Sequence, residues 1–341
     1  MNPGDGFLHR DCPLCGTAAP AVADVRTEPA AESMPYEALV PHWNGFFKER
    51  VFFSYGRCAS CGLLFAPRFF DEGQLGDLYA QMAPNMGTVP LDALRRTQRG
   101  YFEVLKAHSS LEGGYIEVGP DIGLFTESCV REGRFDSYWL FEPNRDVAAA
   151  LSEVVAGRDH RIVHDMLGFS QAPDRSVGAA ILIHVLDHLL DPAGVLRELR
   201  AKLLPAATIL IVTHNESSLL RRAFGRRWPA FCLQHPELYN PRSMRALLDS
   251  VGYEVIQIRR TVNHFPVQFL LKHLLWAVGL KVDRTPAFGG LAIGLRLGNM
   301  ITVARPRADL GNAPSLAPRR PHQAAIGLGL PACQGDESPL V

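Results

Sequence analysis

The sequence predicts an α/β fold preceded by a small module with four paired cysteines. From Gly114 onward, short apolar runs alternate with helical patterns, which is typical of a parallel sheet covered by helices on both faces. Two cysteine pairs, Cys12/Cys15 and Cys58/Cys61, precede this region. We therefore expect four parts: a cysteine module over residues 1–70, a helical connector over 71–110, the α/β domain over 111–307 and a disordered tail over 308–341.

Composition and charge limit the possible partners. The 341 residues include 35 basic and 35 acidic ones, so no overall field attracts nucleic acid or a membrane surface. The N-terminus lacks the pattern of a signal peptide, and Lys272 and His273 interrupt the most apolar stretch, Phe265–Leu280. We expect that stretch to form an amphipathic or core-packed helix. We expect the protein to be cytoplasmic, with no membrane or nucleic-acid partner. The oligomeric state stays open.

Local patterns predict seven strands and several helices. Helices are expected over Phe70–Met82, over Leu91–His108, from Pro192 and from Pro241, the last with Asn240 as N-cap and Gly252 as its end. The strands are expected at Tyr115–Val118, Tyr138–Phe141, Arg161–His164, Ala179–Ile183, Thr208–Thr213, Glu254–Ile258 and Met300–Ala304.

The two cysteine pairs have the spacing of a structural zinc site. Each is a C-x-x-C-G knuckle, in which a tight turn directs both thiolates at one metal ion. Cys12, Cys15, Cys58 and Cys61 together give a closed tetrahedral Zn²⁺ site that supports folding and leaves no open position for chemistry. The alternatives are four unpaired, packed cysteines or a redox dithiol, and neither pair follows a strand at a helix start as a dithiol would.

A glycine turn, Glu117 to Gly123, closes the first predicted strand. Gly119 allows a ligand to approach the backbone, and Gly123 allows the next helix to pack closely on the sheet. The turn does not match the G-x-G-x-x-G of a dinucleotide site, because Asp121 occupies the place of the second glycine. Acids at positions 117 and 121 favour a cationic ligand, and S-adenosylmethionine carries both an ammonium and a sulfonium group.

The ends of the next two strands complete a nucleoside site. Glu142 ends the second strand, where a carboxylate can accept hydrogen bonds from both ribose hydroxyls. Asp165 and Met166 follow the third strand, where they are expected to contact the adenine amino group and the adenine ring.

The segment from Tyr115 to about Ala304 resembles a class I S-adenosylmethionine-dependent methyltransferase. Its E/D-x-G-x-G-x-G motif matches Glu117, Gly119 and Gly123, and its acidic residue after the second strand matches Glu142. The resemblance implies a Rossmann-like seven-stranded methyltransferase sheet with a small N-terminal zinc module, as in sugar C-methyltransferases of the small-molecule branch. Asp121 replaces the middle glycine, so its side chain either crowds the cofactor or pairs with its positive charge.

Histidine is the side chain best suited to accept the acceptor's proton near neutral pH. His235, in LQHPELY, is similar to a substrate-site histidine of sugar methyltransferases, although Gln234 stands where they carry an acid. His184 is expected to line the cofactor pocket, and His188 the substrate entrance as a second catalytic candidate. Because His184 and His188 have the spacing of one helix face, a metal between them is an alternative.

We therefore expect methyl transfer from S-adenosylmethionine to a small molecule, such as a sugar or another secondary metabolite. One alternative is a methyltransferase-fold binding or scaffold protein that Asp121 has made catalytically inactive. Another is a zinc module that binds nucleic acid, which the lack of a basic stripe in the first 70 residues disfavours. Arg221, Arg222, Arg226 and Arg227 form either a solvated face or a clamp for a substrate phosphate.

Overall fold

A computed structural model describes most of the chain up to residue 308. The described residues are 6–43, 51–80, 90–165, 168–268, 270–271, 275, 291–296 and 298–308. The predicted tail therefore lies, after Ala308, outside the described residues. Residues 1–308 form one unit, and the limits proposed for the cysteine module and the connector within it stay predictions.

Over the last two thirds of this unit, strands and helices largely alternate along the chain. The strands are β1 Leu8–His9, β2 Gly56–Arg57, β3 Leu64–Phe65, β4 Arg68–Phe69, β5 Glu112–Val118, β6 Arg134–Phe141, β7 His160–Val163, β8 Val177–Ile183, β9 Leu203–His214, β10 Glu237–Leu238, β11 Tyr253–Arg260, β12 Asn263–Pro266, β13 Ala292–Leu295 and β14 Asn299–Pro306. The helices are α1 Tyr36–Leu39, α2 Glu72–Ala80, α3 Leu91–Lys106, α4 Leu124–Glu132, α5 Ala148–Val154, α6 Pro192–Lys202, α7 Leu219–Phe224 and α8 Pro241–Ser250.

A seven-stranded sheet forms the centre, in the order β11-β14-β9-β8-β5-β6-β7. The pairings among β7, β6, β5, β8 and β9 are parallel, whereas β14 is antiparallel to both β9 and β11. The predicted α/β fold class is confirmed, and each of the seven predicted strands lies in this sheet. The carboxyl ends of the five parallel strands meet at one edge, where an open α/β sheet binds its ligands.

Helices cover both faces of the sheet, because their apolar sides are buried against it. One apolar cluster joins the sheet to α6 and α8 through Leu196, Leu199, Leu247 and Leu248. A second cluster joins the opposite face to α3, α4 and α5 through Phe102, Phe125 and Leu151, among others. The burial of such side chains from water is the main favourable term in folding.

The helix limits follow from local side-chain caps. Asp191 accepts a hydrogen bond from the Gly194 N–H at the start of α6. Asn240 accepts from the N–H groups of Arg242 and Ser243, and the Ser243 hydroxyl accepts from the Asn240 N–H, which completes a capping box at α8. The predicted starts of both helices are confirmed.

The N-terminal strands belong to small sheets that include a later part of the chain. β3 pairs with β2 on one side and with β10, which follows the central strand β9 by more than twenty residues, on the other. One buried aromatic cluster likewise joins Trp43, Tyr55 and Phe70 to Trp228 and Phe231. The cysteine module and the segment around β10 therefore share one core.

The predicted helix over Phe265–Leu280 is wrong at its start. Phe265 and Pro266 lie in β12, which pairs antiparallel with β13. A short apolar run has no periodicity that separates strand from helix, so its type depends on the available partner strand. Most of the remaining stretch lies outside the described residues, and in the part of the chain that is described no helix combines the length and apolarity needed to cross a membrane.

The cap of α8 can be tested by substitution. Asn240→Ala should lower the free energy of unfolding by ~1–2 kcal/mol, because it removes the acceptor for two helix N–H groups. Asn240→Ser, which keeps a capping hydroxyl but not the amide that donates to Glu216, is the control and should lose less. Urea unfolding measures both variants, and equal losses of unfolding free energy in the two would contradict the capping role of Asn240.

Candidate active site

The four cysteines of the module converge on one point. The Sγ atoms of Cys12 and Cys61 lie 3.5 Å apart, as do those of Cys15 and Cys58, and the four sulfur atoms all lie within 4.8 Å of one another. Tetrahedral zinc with Zn–S bonds of about 2.3 Å sets its sulfur atoms about 3.8 Å apart. The donor set and its spacing therefore fit a Cys₄ zinc site.

The two knuckles have the same backbone geometry. The Gly16 N–H donates to the Cys12 carbonyl and the Gly62 N–H to the Cys58 carbonyl, at 2.8 and 2.9 Å. Both glycines have positive φ, 69° and 76°, which a residue with a side chain rarely adopts. The sequence pattern C-x-x-C-G thus corresponds to two equivalent turns that present their sulfur atoms to one another.

The glycine turn after β5 adopts left-handed backbone conformations. Gly119 has φ 66°, and a Cβ on it would meet Val185 at 2.8 Å. Asp121 has φ 52°, which aspartate tolerates better than most residues with a side chain. The aspartate therefore adopts the backbone conformation that a glycine would favour, and the turn keeps its shape without the middle glycine.

Glu142 connects the end of β6 to this turn. Its carboxylate accepts from the N–H of Asp121 and from the N–H of Asn144, each at 2.9 Å. Burial, together with the negative charge of Asp121, raises the pKa of Glu142. A carboxylate has about four acceptor positions, so two remain for hydroxyl donors.

Asp121 is the second acid at this point. Burial raises its pKa, and its Oδ1 atom is buried without a hydrogen-bond partner among the described residues. A buried acceptor in that state can bind water, another donor or a cation.

Glu117 lies below the turn and points into the protein. It is 2% exposed and accepts hydrogen bonds from the hydroxyls of Tyr115 and Thr126, so it ties β5 to α4. Burial raises the pKa of Glu117 to about 7. Its predicted contact with the cofactor stays a prediction.

The other predicted adenine contacts follow β7. Asp165 is half-buried just beyond the strand, at the same sheet edge as Glu142. The neighbouring His164 ring binds the Glu142 carbonyl at 3.1 Å, which holds the two strand ends together. Met166 lies outside the described residues.

Four histidines gather at the adjacent part of the sheet edge. The ring centroids of His184 and His214 lie 5.0 Å apart, those of His214 and His235 4.7 Å, and those of His235 and His188 4.6 Å. The structure therefore brings the predicted residues His184, His188 and His235 together and adds His214. Buried Asp187 lies beside them, with its Oδ2 atom 2.6 Å from His214 Nδ1.

Asp187 is the charge around which the cluster is built. It is fully buried and accepts both the backbone N–H and the ring Nδ1–H of His214. Burial alone would raise its pKa, but the hydrogen bond from His214 and the charges of nearby histidines outweigh it and hold the pKa well below the usual range. Burial and the neighbouring His214 lower the pKa of His184 to about 4.

The orientation of His235 follows from one backbone contact. Its Nδ1–H donates to the Ala230 carbonyl at 2.7 Å, so the other ring nitrogen, Nε2, is the atom that can exchange a proton. Burial alone would lower its pKa, but Cys232, Asp187 and the Ala230 carbonyl outweigh burial and raise the pKa to about 9.

His188 does not share a helix face with His184, contrary to what the spacing of the two residues suggested. Leu186–His188 is a single 3₁₀ turn, and His184 has φ 54°, so the two histidines do not share a helix face. The alternative of a metal held by His184 and His188 on that face is therefore wrong. His188 Nδ1 is instead hydrogen-bonded to Tyr79 of α2, at 2.9 Å.

The segment that carries His235 is fixed from the module side. Tyr55 donates its hydroxyl to the His235 carbonyl at 2.6 Å. Two residues later, Glu237 forms a buried ion pair with Arg10 at 2.9 Å. Burial raises the pKa of Glu237 to about 7 although Arg10 opposes this.

The arginine cluster is divided between packing and solvent. Arg221 stacks on the Phe231 ring at 5.5 Å, whereas Arg222, Arg226 and Arg227 are exposed. Exposed arginines fit both a solvated face and a phosphate clamp, so both alternatives stay predictions.

His214 is the main site residue that the sequence interpretation missed. It directly follows the predicted strand Thr208–Thr213, as the last residue of β9. Polar residues just after a parallel strand lie at the ligand-binding edge, so this position alone was a usable signal.

Comparison with known proteins agrees with the geometry of this edge. The family model described as a methyltransferase domain matches residues 93–258, a range that includes the glycine turn, Glu142 and the four histidines. Over these residues the chain matches a methyltransferase domain. The resemblance inferred from the glycine motif and from Glu142 is therefore confirmed.

Solved structures give more distant likenesses to this methyltransferase domain. The YcgJ protein of Bacillus subtilis is 14% identical, over 62% of this chain and 99% of that one, with a TM-score of 0.42. An S-adenosylmethionine-dependent methyltransferase of Methanosarcina mazei is 12% identical, over 60% of this chain and 97% of that one, with a TM-score of 0.39. Magnesium protoporphyrin IX methyltransferase of Synechocystis is 11% identical, over 70% of this chain and 88% of that one, with a TM-score of 0.41. A search of curated proteins finds none that matches.

The buried carboxyl of Glu117 predicts a pH-dependent stability. Because its pKa is raised from 4.5 to about 7, the folded state keeps a proton that the unfolded state has released, and stability falls as pH rises between these values. Glu117→Gln should remove this fall, which amounts to about 3 kcal/mol at most. Unfolding at several pH values measures the difference in unfolding free energy between wild type and Glu117→Gln, with Glu153→Gln as the exposed control. If that difference does not change with pH, the raised pKa of Glu117 is contradicted.

The cysteine cluster predicts that one substitution loosens the module. Cys58→Ser should abolish stoichiometric zinc binding and lower the melting temperature, because three thiolates do not close the tetrahedral site. Ser60→Ala, in the same knuckle, is the control and should keep its zinc. Full zinc content and unchanged melting in Cys58→Ser would count against the site.

Proposed function

We propose that this protein transfers a methyl group from S-adenosylmethionine to a small-molecule acceptor, such as a sugar or another secondary metabolite. The observation that carries the proposal is the meeting of two groups of residues at one sheet edge. The glycine turn with Asp121 and Glu142 lies after β5 and β6, and the histidine cluster lies after β8 and β9. Neighbouring strand ends thus offer a cofactor site beside a proton-accepting site.

The residues after β5, β6 and β7 suit this cofactor. Glu142 keeps acceptor positions for the ribose hydroxyls, and Gly119 is proposed to let the cofactor approach the backbone. The unpartnered Oδ1 of Asp121 suits a positively charged group, so we assign Asp121 to charge pairing rather than to crowding. Asp165 and Met166 are proposed for the adenine ring.

His235 and His188 are proposed for the acceptor, and His184 is proposed to line the cofactor pocket. Bound S-adenosylmethionine supplies a methyl group on a good leaving group, so the protein has to align the acceptor and remove its proton. His235 is the first candidate base, because the Ala230 carbonyl fixes its Nδ1–H and leaves Nε2 for the proton. Its pKa is raised to about 9, so the neutral form that accepts a proton becomes abundant only as the pH rises toward that value. His188 is the second, held by Tyr79.

The four cysteines are proposed to bind zinc with a structural role. The zinc module holds the segment of His235 through Tyr55 and through the pairing of β3 with β10. Zinc therefore supports the acceptor side of the site without contacting the acceptor.

Ion pairs in the module support a small molecule over a nucleic acid as acceptor. Arg10 is paired with Glu237, Arg57 with Glu216 and Asp24, and Arg26 with Glu28. Nucleic-acid binding draws on clustered basic groups that are available to phosphates.

Calorimetric titration of S-adenosylmethionine and of S-adenosylhomocysteine tests the cofactor site. Wild type should bind both with micromolar dissociation constants, and Glu142→Ala should weaken binding at least tenfold. Glu153→Ala, an exposed glutamate on α5, is the control. Binding by Asp121→Gly but not by wild type would favour the inactive scaffold, and no binding by either folded protein would refute the proposal.

A further inference from the structure

A second group of metal-ligand side chains lies apart from the cysteines, at the ends of β8 and β9. His184, Asp187 and His214 each offer one ligand atom, and the three atoms lie within 4.8 Å of one another. β8 and β9 are adjacent parallel strands, paired up to Ile183 and Val212, so their ends hold His184 and His214 side by side. The 3₁₀ turn after β8 returns Asp187 to the same place.

Two polar atoms of this group are buried without a partner in the described part of the chain. They are Oδ1 of Asp187, whose side chain is fully buried, and Nδ1 of His184. A buried polar atom that lacks a hydrogen bond costs about 1–3 kcal/mol. Two such atoms in one small cluster indicate a ligand that satisfies both.

The remaining atoms of the group have partners that orient it. Oδ2 of Asp187 accepts the Nδ1–H and the backbone N–H of His214. Nε2 of His184 lies 3.3 Å from Nδ2 of Asn299, and with the amide turned over its Oδ1 would accept the Nε2–H that metal binding through Nδ1 requires. Because His214 Nδ1 carries the proton donated to Asp187, this imidazole binds a metal ion through Nε2, or through Nδ1 once that proton is released.

We propose that His184, Asp187 and His214 bind a divalent transition-metal ion at the carboxyl edge of the sheet. Two imidazoles and one carboxylate suit Zn²⁺, Co²⁺, Fe²⁺ or Mn²⁺ and leave coordination positions open for water or another oxygen ligand. On the proposed function, those positions hold an oxygen of the methyl acceptor. The metal site itself does not depend on that function.

Cobalt binding tests the site in the full-length protein loaded with one equivalent of zinc per chain, which is enough for the cysteines alone. Calorimetry should detect one Co²⁺ site per chain, and its visible spectrum should lack the sulfur-to-cobalt charge-transfer bands that binding at the cysteines would give. His184→Ala and His214→Ala should each weaken binding at least tenfold. His160→Ala, which removes an exposed histidine of β7, should leave it unchanged. Thermal melting confirms that each variant is folded.

Three results would overturn the proposal. They are no cobalt binding by wild type, binding that shows sulfur charge transfer only, and binding that survives in folded His184→Ala and His214→Ala. In those cases Asp187 serves only as the hydrogen-bond partner of His214. Cofactor binding, measured without cobalt and with Glu142→Ala, fails or succeeds independently of these results.

Discussion

The site depends on how the stretch from Trp228 to Asn240 is held between two parts of the protein. On one side, β10 pairs with β3 of the module, and Tyr55 binds the His235 carbonyl. On the other, Tyr239 forms a parallel bridge with Asn215, directly after β9. The stretch has little regular structure of its own, so these contacts fix His235 in the histidine cluster. The methyltransferase domain alone would lack this support.

A set of polar contacts also links the cysteine module to the segment after β9 and to α8. Arg57 of the module binds the Gly62 carbonyl, in the second knuckle, and forms a two-point ion pair with Glu216. Glu216 in turn accepts from Asn240, the cap of α8. The Glu216 carboxylate is 6% exposed, so leaving it without Arg57 and Asn240 would be costly, whereas Arg57 itself is 39% exposed. The cysteine cluster, the acceptor-side segment and α8 are therefore parts of one polar network.

The central sheet was predictable because its signals are local. Buried parallel strands such as β8 are continuous apolar runs, and α8 is preceded by Asn240-Pro241, which marks a helix start in any context. The paired cysteines were equally clear. β10 was not predictable, since a two-residue strand has no period and exists only through its partner β3. The hydrogen bond between Asp187 and His214 joins residues 27 apart, so it became visible only in three dimensions.

Hydrogen exchange in Cys58→Ser tests most directly whether the module and the methyltransferase domain form one site. The account predicts that amides of residues 231–239 lose protection together with those of the module, while amides of β5 and β8 stay protected. The loss at 231–239 follows because β3 and Tyr55 no longer hold that segment. If the module amides exchange fast and residues 231–239 keep their protection, the segment is held by the sheet alone, and the account is contradicted.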